Sequence, residues 1–296
     1  MKPFLKWAGG KRWLVRRYPQ LFDLKFNRYI EPFVGSGAVF FDLQPQRGII
    51  SDVNPALMNV YSVLRSDYRR VWVHLLEHAR NHSDEYYYEV RSKAFRSDAS
   101  RAAQFIYLNR TCWNGLYREN LRGEFNVPRG TKDTIIFADD DFAAVSEALA
   151  STKIMSGDFE KVFNAVKEDD FVFIDPPYTV KHNGNGFVKY NESIFSWNDQ
   201  VRLANAVKLK ARSGASILVT NAYHSTVIEL YRSFATIVPV ERASILSGDK
   251  SYRGKTQEAL ILVGSAWKGV EVESVLEPAT MEFSRIILIF RGHEGY

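Results

Sequence analysis

Two rhythms of apolar residues alternate along the chain. Short runs of strand length occur at residues 28–30, 48–51, 153–156, 171–174, 216–220, 236–240 and 259–263. Between the earlier ones lie stretches with helical spacing, most clearly residues 198–212. A helix is expected from Ala38, after a glycine loop at residues 34–37. Another is expected over residues 55–65, with Pro55 in its first turn and Asn54 or Asp52 as its cap. From Tyr61 to Leu108 strand signals stop, while Val71, Leu75, Leu76, Phe105 and Leu108 keep a helical period. That stretch predicts a helical insertion. Residues 109–130 mix Asn, Gly and Arg with aromatics, which predicts loop or hairpin. Strands alternating with helices predict an α/β fold whose parallel sheet is covered on both faces. The last two strand runs leave no room for a long helix between them and are expected to pair as an antiparallel hairpin. A final apolar run at residues 286–290 fits no element of this scheme.

Composition changes this picture only slightly. A chain of 296 residues accommodates one α/β domain with an insertion, or two domains. Hydrophobic residues at 46% and charged residues at 25% suffice for a normal core. The formal net charge of +5 suits an anionic partner without demanding one. The single cysteine, Cys112, allows no intramolecular disulfide and suits a reducing compartment. Residues 1–11 lack the apolar centre of a signal peptide, and no apolar run approaches membrane-spanning length. A cytoplasmic protein is expected. The six histidines are scattered, so no metal site is expected.

Four segments carry candidate chemistry. In Glu31-Pro32-Phe33-Val34-Gly35-Ser36-Gly37, two glycines lie between a strand and a helix, where backbone can approach a ligand. Asp52 ends the next strand, a place from which a carboxylate accepts hydrogen bonds from ribose hydroxyls. Phe40 occupies the position where a dinucleotide fingerprint needs a third glycine, so a tighter nucleoside pocket fits better. In Asp175-Pro176-Pro177-Tyr178, an acid, two stiff prolines and an aromatic follow a buried strand. An aromatic amine is a poor nucleophile because its lone pair is delocalised into the ring. Acceptors such as Asp175 and the Pro176 carbonyl, set against its N–H groups, draw that lone pair out, while Tyr178 stacks on the base. A plain capped turn explains the shape of this segment but not Tyr178.

The third segment, residues 4–11, sets Trp7, Lys6 and Lys11 around two glycines. An aromatic face there attracts a sulfonium cation, although a frayed basic terminus is the default for such a stretch in isolation. The fourth runs Asn109-Arg110-Thr111-Cys112-Trp113-Asn114-Gly115-Leu116-Tyr117-Arg118 and continues through Arg122-Gly123-Glu124-Phe125-Asn126-Val127-Pro128-Arg129. Arginines suit guanine edges and phosphates, amides suit adenine edges, and aromatics replace a displaced base in a stack. Phe125 and Tyr107 are expected to pack into the core instead, as is Cys112.

FLKWAGGK, EPFVGSG, NRTCWNGLYR, GEFNVP and DPPY stand here in the order in which they occur in the DNA adenine methylase (Dam) family, which this chain resembles from Phe4 to about Val263. The joint set is specific; each motif alone is not. The chain departs from the family in carrying Trp113 where a smaller aromatic is usual, and in the small basic stretch after Pro128.

The resemblance implies a Rossmann-like S-adenosylmethionine-dependent methyltransferase sheet with an inserted, mainly helical DNA-recognition domain. Residues 1–60 and 150–264 would form the two parts of the catalytic domain, residues 61–149 the insertion and residues 265–296 an unassigned tail. It implies that Trp7, Lys11, Asp52, Asp158, Phe159 and Asp175 contact S-adenosyl-L-methionine, with Phe33, Gly35 and Gly37 in the pocket floor. Asp175, Pro176, Pro177 and Tyr178 would hold a flipped adenine. Lys6, Trp113, Asn114, Leu116, Arg118 and Pro128 match the family's positions for contacting double-stranded DNA, with GATC the implied site. Trp113 or Asn114 would fill the gap left by the base. Transfer would be direct and in line, with no metal and no covalent intermediate. The alternatives are a methyltransferase of cytosine N4 or another planar amine, a nucleotide-binding oxidoreductase, and a non-catalytic DNA-binding protein that kept the fold. Pairing with a cognate restriction endonuclease is left open by the sequence.

Overall fold

A computed structural model describes residues 1–120, 123–181, 194–243 and 255–267. In chain order the strands are β1 (Tyr29–Glu31), β2 (Gly48–Asp52), β3 (Thr152–Ser156), β4 (Phe171–Ile174), β5 (Ser216–Ala222), β6 (Thr236–Ala243) and β7 (Lys255–Val263). The helices are α1 (Arg12–Arg17), α2 (Ala38–Leu43), α3 (Pro55–Asn81), α4 (Asp84–Ser92), α5 (Asp98–Thr111), α6 (Phe142–Leu149), α7 (Phe159–Phe163), α8 (Trp197–Arg212) and α9 (Ser225–Tyr231). The chain is thus mixed α/β, as the alternation of apolar rhythms predicts. It divides into two compact units, Met1–Val15 with Val34–Asp158, and Arg16–Phe33 with Phe159–Tyr296. Among the described residues no helix is long and apolar enough to cross a membrane.

In the first unit β2 and β3 pair in parallel, from Gly48↔Thr152 to Asp52↔Ser156. A parallel pair needs a crossover, and the helices α3 to α6 provide it. The α3 helix starts where its sequence says it should. Asn54 is the cap, its side chain accepting from the Leu57 amide, and Pro55 follows in the first turn. The helix does not stop at residue 65. It breaks at Asp67, whose φ of −156° is not helical, and resumes to Asn81. Leu57, Val60, Tyr61, Leu64, Val71, Leu75 and His78 are buried along it, a stripe at helical period that packs on α5.

The end of α5 departs from expectation. Asn109, Arg110 and Thr111 form its last turn rather than the start of a loop, and all three are buried. Polar residues of this kind disfavour helix in isolation. Here their side chains find fixed partners, and tertiary hydrogen bonding overrides local preference.

In the second unit the strand order is β1-β4-β5-β7-β6. β1 lies parallel to β4, and β4 parallel to β5 in the register Phe171↔Ser216 to Ile174↔Val219. Successive residues of β1 and β4 are buried, so both faces of these strands are covered. β7 runs antiparallel to β5 and to β6; the β6–β7 pairing is the hairpin that the spacing predicts, and its ladder extends from Thr236↔Leu262 to Ala243↔Lys255. Both strands outlast their apolar runs, because backbone pairing continues through the polar residues of the hairpin. Pro239 is tolerated within β6, an outer strand that pairs with β7 alone among the described residues. The α8 helix begins with a capping box between Ser196 and Asp199 and buries Leu203, Ala204 and Val207. The run at residues 286–290 lies outside the described residues.

Candidate active site

The glycine loop of the first unit is built by the end of β2. The Val34 amide donates to the Ser51 carbonyl at 2.9 Å, and the Gly37 amide closes a turn on the Val34 carbonyl at 2.7 Å. Asp52 holds the loop from below. One carboxylate oxygen accepts from the Gly35 amide at 3.2 Å, the other from the Asn54 amide at 3.0 Å. A carboxylate offers about four lone-pair sites, more than the three amides of Gly35, Asn54 and Val53 occupy. Burial pushes the carboxyl above its ordinary value, against the opposing pull of the Asn54, Gly35 and Val53 amides. Asp158 follows β3, the parallel partner of β2, and the Gly157 amide before it donates to the Asp52 carbonyl at 3.0 Å. The two acids therefore stand at the carboxyl ends of neighbouring parallel strands.

Gly35 has a backbone reason to be glycine. Its φ is +46°, and a Cβ there would lie 2.7 Å from Cδ1 of Trp7. Trp7 is half-buried, stacked at 5.9 Å on Tyr117 and 6.4 Å from Phe105, with those two rings 4.7 Å apart. Lys11 is buried, and its ammonium donates to the Gly9 carbonyl at 3.0 Å. The N-terminal segment is not frayed. Phe4 is buried edge-on against Phe41, Tyr61 and Phe142.

The same segment is tied to the end of α5. Asn109 accepts from the Lys6 amide at 2.8 Å and donates to the Lys6 carbonyl at 2.7 Å. The Lys6 ammonium donates to the Arg110 carbonyl at 2.8 Å, and burial is the main reason its pKa falls below the usual lysine value. Gly115, at φ +64°, lies so close to the Lys6 stem that a Cβ would meet it at 2.6 Å. Beyond the helix, Trp113, Asn114, Leu116 and Arg118 are all exposed, as is Pro128. Backbone bonds hold the display in shape. The Trp113 amide donates to the Pro128 carbonyl at 2.9 Å and the Asn126 amide to the Arg118 carbonyl at 3.1 Å. Arg118 itself donates to the Asn126 side chain at 3.0 Å. Leu121 and Arg122 lie outside the described residues. Tyr107 is fully buried as expected, whereas Phe125 is only half-buried, tilted against Tyr117 at 5.4 Å. Cys112 is packed, and burial pushes its thiol up to about 11.

In the second unit, Asp175, Pro176, Pro177 and Tyr178 leave the carboxyl end of β4. The Thr220 hydroxyl on β5 donates to an Asp175 oxygen at 2.7 Å. The Tyr178 hydroxyl donates to Glu258 on β7 at 2.9 Å. Gln200 donates to the Pro177 carbonyl at 3.1 Å and is itself held by Asn221 at 3.0 Å, both amides being fully buried. Burial, then the Asp175 and Glu258 charges, raise the Tyr178 phenol well above its ordinary value, so it remains a neutral donor. Phe33 is half-buried, 5.6 Å from Phe159 and 5.5 Å from Phe195, ring to ring.

Sequence reading missed the residues that brace these groups. Thr220 and Asn221 carried a signal, since polar side chains ending an apolar strand mark a ligand-facing edge. Gln200, Tyr117 and Glu258 carried none that distinguishes them from other helical, loop or strand residues.

Comparison with known proteins gives one consistent result. Residues 7–245 match the model of the D12 class N6 adenine-specific DNA methyltransferases. The Type II methyltransferase M1.LlaDCHI of Lactococcus lactis subsp. cremoris is 37% identical over 270 residues, covering 88% of this chain and 95% of that protein. The Type II methyltransferase M.MjaIII of Methanocaldococcus jannaschii is 38% identical over 278 residues, covering 86% and 96%. The DNA adenine methylase of Haemophilus influenzae is 32% identical over 270 residues, covering 89% and 94%.

Proposed function

This chain belongs to the D12 class of N6 adenine-specific DNA methyltransferases, and on that premise we propose that it transfers a methyl group from S-adenosyl-L-methionine to N6 of adenine within GATC in duplex DNA. The observation that carries the reading is the Asp175–Tyr178 turn. It presents an acid fixed by Thr220 and a neutral tyrosine fixed by Glu258 at the end of a buried strand. Asp175 accepts an N–H of the adenine amine and draws its lone pair out of the ring, while Tyr178 stacks on the flipped base. Pro176 and Pro177 keep the two at a constant separation.

When bound, S-adenosyl-L-methionine supplies a methyl carried on a sulfonium cation. The residues present fit such a ligand. Asp52 has acceptor capacity beyond its three backbone amides for a ribose hydroxyl, and Phe33 and Phe159 form an aromatic pair suited to an adenine ring. Trp7, Lys11, Gly35, Gly37 and Asp158 complete the proposed set. The buried, protonated Cys112 supports direct in-line transfer rather than a covalent enzyme intermediate.

The DNA contacts are assigned to Lys6, Trp113, Asn114, Leu116, Arg118 and Pro128. Support comes from the exposure of the last five and from the fork of Arg118, which matches the acceptor edge of guanine. Trp113 or Asn114 fills the space left by the base. Residues 61–149 are proposed as the recognition insertion in a catalytic domain formed by residues 1–60 and 150–264.

The test is to incubate purified protein with duplex DNA and methyl-labelled S-adenosyl-L-methionine, digest to nucleosides and map the modified sites. N6-methyladenine confined to GATC is expected. N6-methyladenine in another short motif overturns the site alone, and N4-methylcytosine overturns the base. DNA binding without label moves the protein to a non-catalytic binder.

A further inference from the structure

We propose that Glu258 is a positioning residue for methyl transfer, acting through Tyr178. The inference rests on the reading of Asp175–Tyr178 as the turn that holds the base. Glu258 is only 2% exposed, although glutamate is rarely buried without a task. It sits on β7 opposite Ala222 of β5, while Thr220 sits opposite Leu260. Residues two apart on a strand share a face, so Thr220 and Glu258 are diagonal neighbours on one side of the β5–β7 ladder.

That diagonal pair meets the two ends of the turn. Thr220 donates to Asp175 at 2.7 Å, and Glu258 accepts from Tyr178 at 2.9 Å. A tyrosine side chain has a stiff ring and one polar tip. The phenol O–H prefers to lie in the ring plane, so an acceptor at a fixed position restrains rotation about the long axis and sets the tilt of the plane offered to a stacked base. A carboxylate suits the task because it accepts without donating, which orients the phenol hydrogen towards β7 and away from Asp175. Asp175 then accepts from Thr220 and takes no proton from the neighbouring phenol. Glu258 thus acts on stacking geometry and on hydrogen-bond partition, and it does so without touching the substrate.

The experiment compares full-length wild type with Glu258→Gln, Glu258→Ala, Tyr178→Phe and the double variant Glu258→Ala/Tyr178→Phe. Single-turnover methyl transfer to duplex DNA is measured alongside dissociation constants for S-adenosyl-L-methionine and DNA. A 2-aminopurine at the target position reports base stacking. Glu258→Ala is expected to slow transfer about tenfold, with both dissociation constants within about twofold of wild type. Glu258→Gln, which still accepts through its amide oxygen, is expected to stay within about threefold. Tyr178→Phe is expected to match Glu258→Ala, and the double variant to be no slower than the slower single. Stacked-base fluorescence should differ from wild type in Glu258→Ala and revert in Glu258→Gln.

Wild-type transfer in Glu258→Ala overturns the inference, as do multiplicative losses in the double variant. If Glu258→Ala fails to fold, Tyr178→Phe breaks the same bond without emptying the carboxylate site, and wild-type transfer there overturns it equally. A wild-type protein that methylates no adenine removes the underlying reading and the inference with it. Active wild type with indifferent Glu258 variants removes the inference alone.

Discussion

Arg110 and Arg118 stand in one decapeptide and live in opposite environments. Arg110 is fully buried. Its guanidinium is paired with both oxygens of Asp140 at 2.6 and 2.7 Å, donates to the Phe4 and Ile135 carbonyls, and lies 4.3 Å over the Phe137 ring. Arg118 is exposed and bonded to the Asn126 side chain. The same contrast runs through the neighbours, since Asn109 and Cys112 are buried while Trp113, Asn114 and Leu116 are exposed. Residues 109–112 anchor the segment to the N-terminal strap, and residues 113–118 are displayed. The lesson is that arginines in a recognition segment are not all readers. A guanidinium surrounded by matched acceptors has no donor left for a base edge.

The largest effect expected from this contrast is on Arg110. Arg110→Ala strands the Asp140 carboxylate in the interior and should cost about 3–5 kcal/mol in urea unfolding. A loss under about 1 kcal/mol would break the claim that Arg110 is the anchor.

The support behind the anchor should be acid-sensitive. His78 packs at 4.9 Å on Tyr107 of α5 and bonds to the Tyr86 hydroxyl at 2.9 Å. Burial lowers its pKa from 6.5 to about 4. The folded state therefore resists a proton that the unfolded chain accepts. Its contribution is complete above pH 6.5 and is lost as pH falls from there to about 4. That window corresponds to about 3 kcal/mol in all. Urea midpoints followed from pH 7.5 to 4.5 should fall less steeply in His78→Leu than in wild type. Equal slopes would assign the acid loss elsewhere.

The displayed half should respond in binding rather than in folding. Arg118→Ala is expected to leave stability within about 0.5 kcal/mol and to lose about 1–3 kcal/mol of discrimination at a single base pair. Measured against a panel of single-mismatch duplexes, a uniform loss at every position would make Arg118 a phosphate contact instead.

The smallest expected change is the stability of Trp113→Ala. The residue is 51% exposed, so unfolding should shift by less than about 0.5 kcal/mol. A drop above about 2 kcal/mol would place Trp113 with the anchor and erase the boundary drawn here between the two halves.

Several parts of this architecture were written plainly in the chain. The strand Phe171–Ile174 has the bounds that its apolar run predicts, because four consecutive apolar residues can be buried on both faces only at the centre of a sheet. Asn54 and Pro55 mark the start of α3 by local capping chemistry. The β6–β7 hairpin followed from the short spacing between its strands. The ends of elements were less legible. The continuation of α3 past Asp67 and the helical state of Asn109–Thr111 depend on packing against α5 and on the Lys6 backbone, neither of which is local.

By itself the sequence determined the α/β class, the order of the strands along the chain, the family, and the short segments in which the chemistry resides. These depend on residue spacing and turn chemistry, which act over a few positions. Tertiary structure alone decided which of those segments' residues are spent on the fold. It buried Arg110 against Asp140, turned Arg118 outward, and set Thr220 and Glu258 behind Asp175 and Tyr178. Each of those outcomes depends on a partner or an environment supplied by distant chain, and a hydrogen bond has no signature until both its ends are in place.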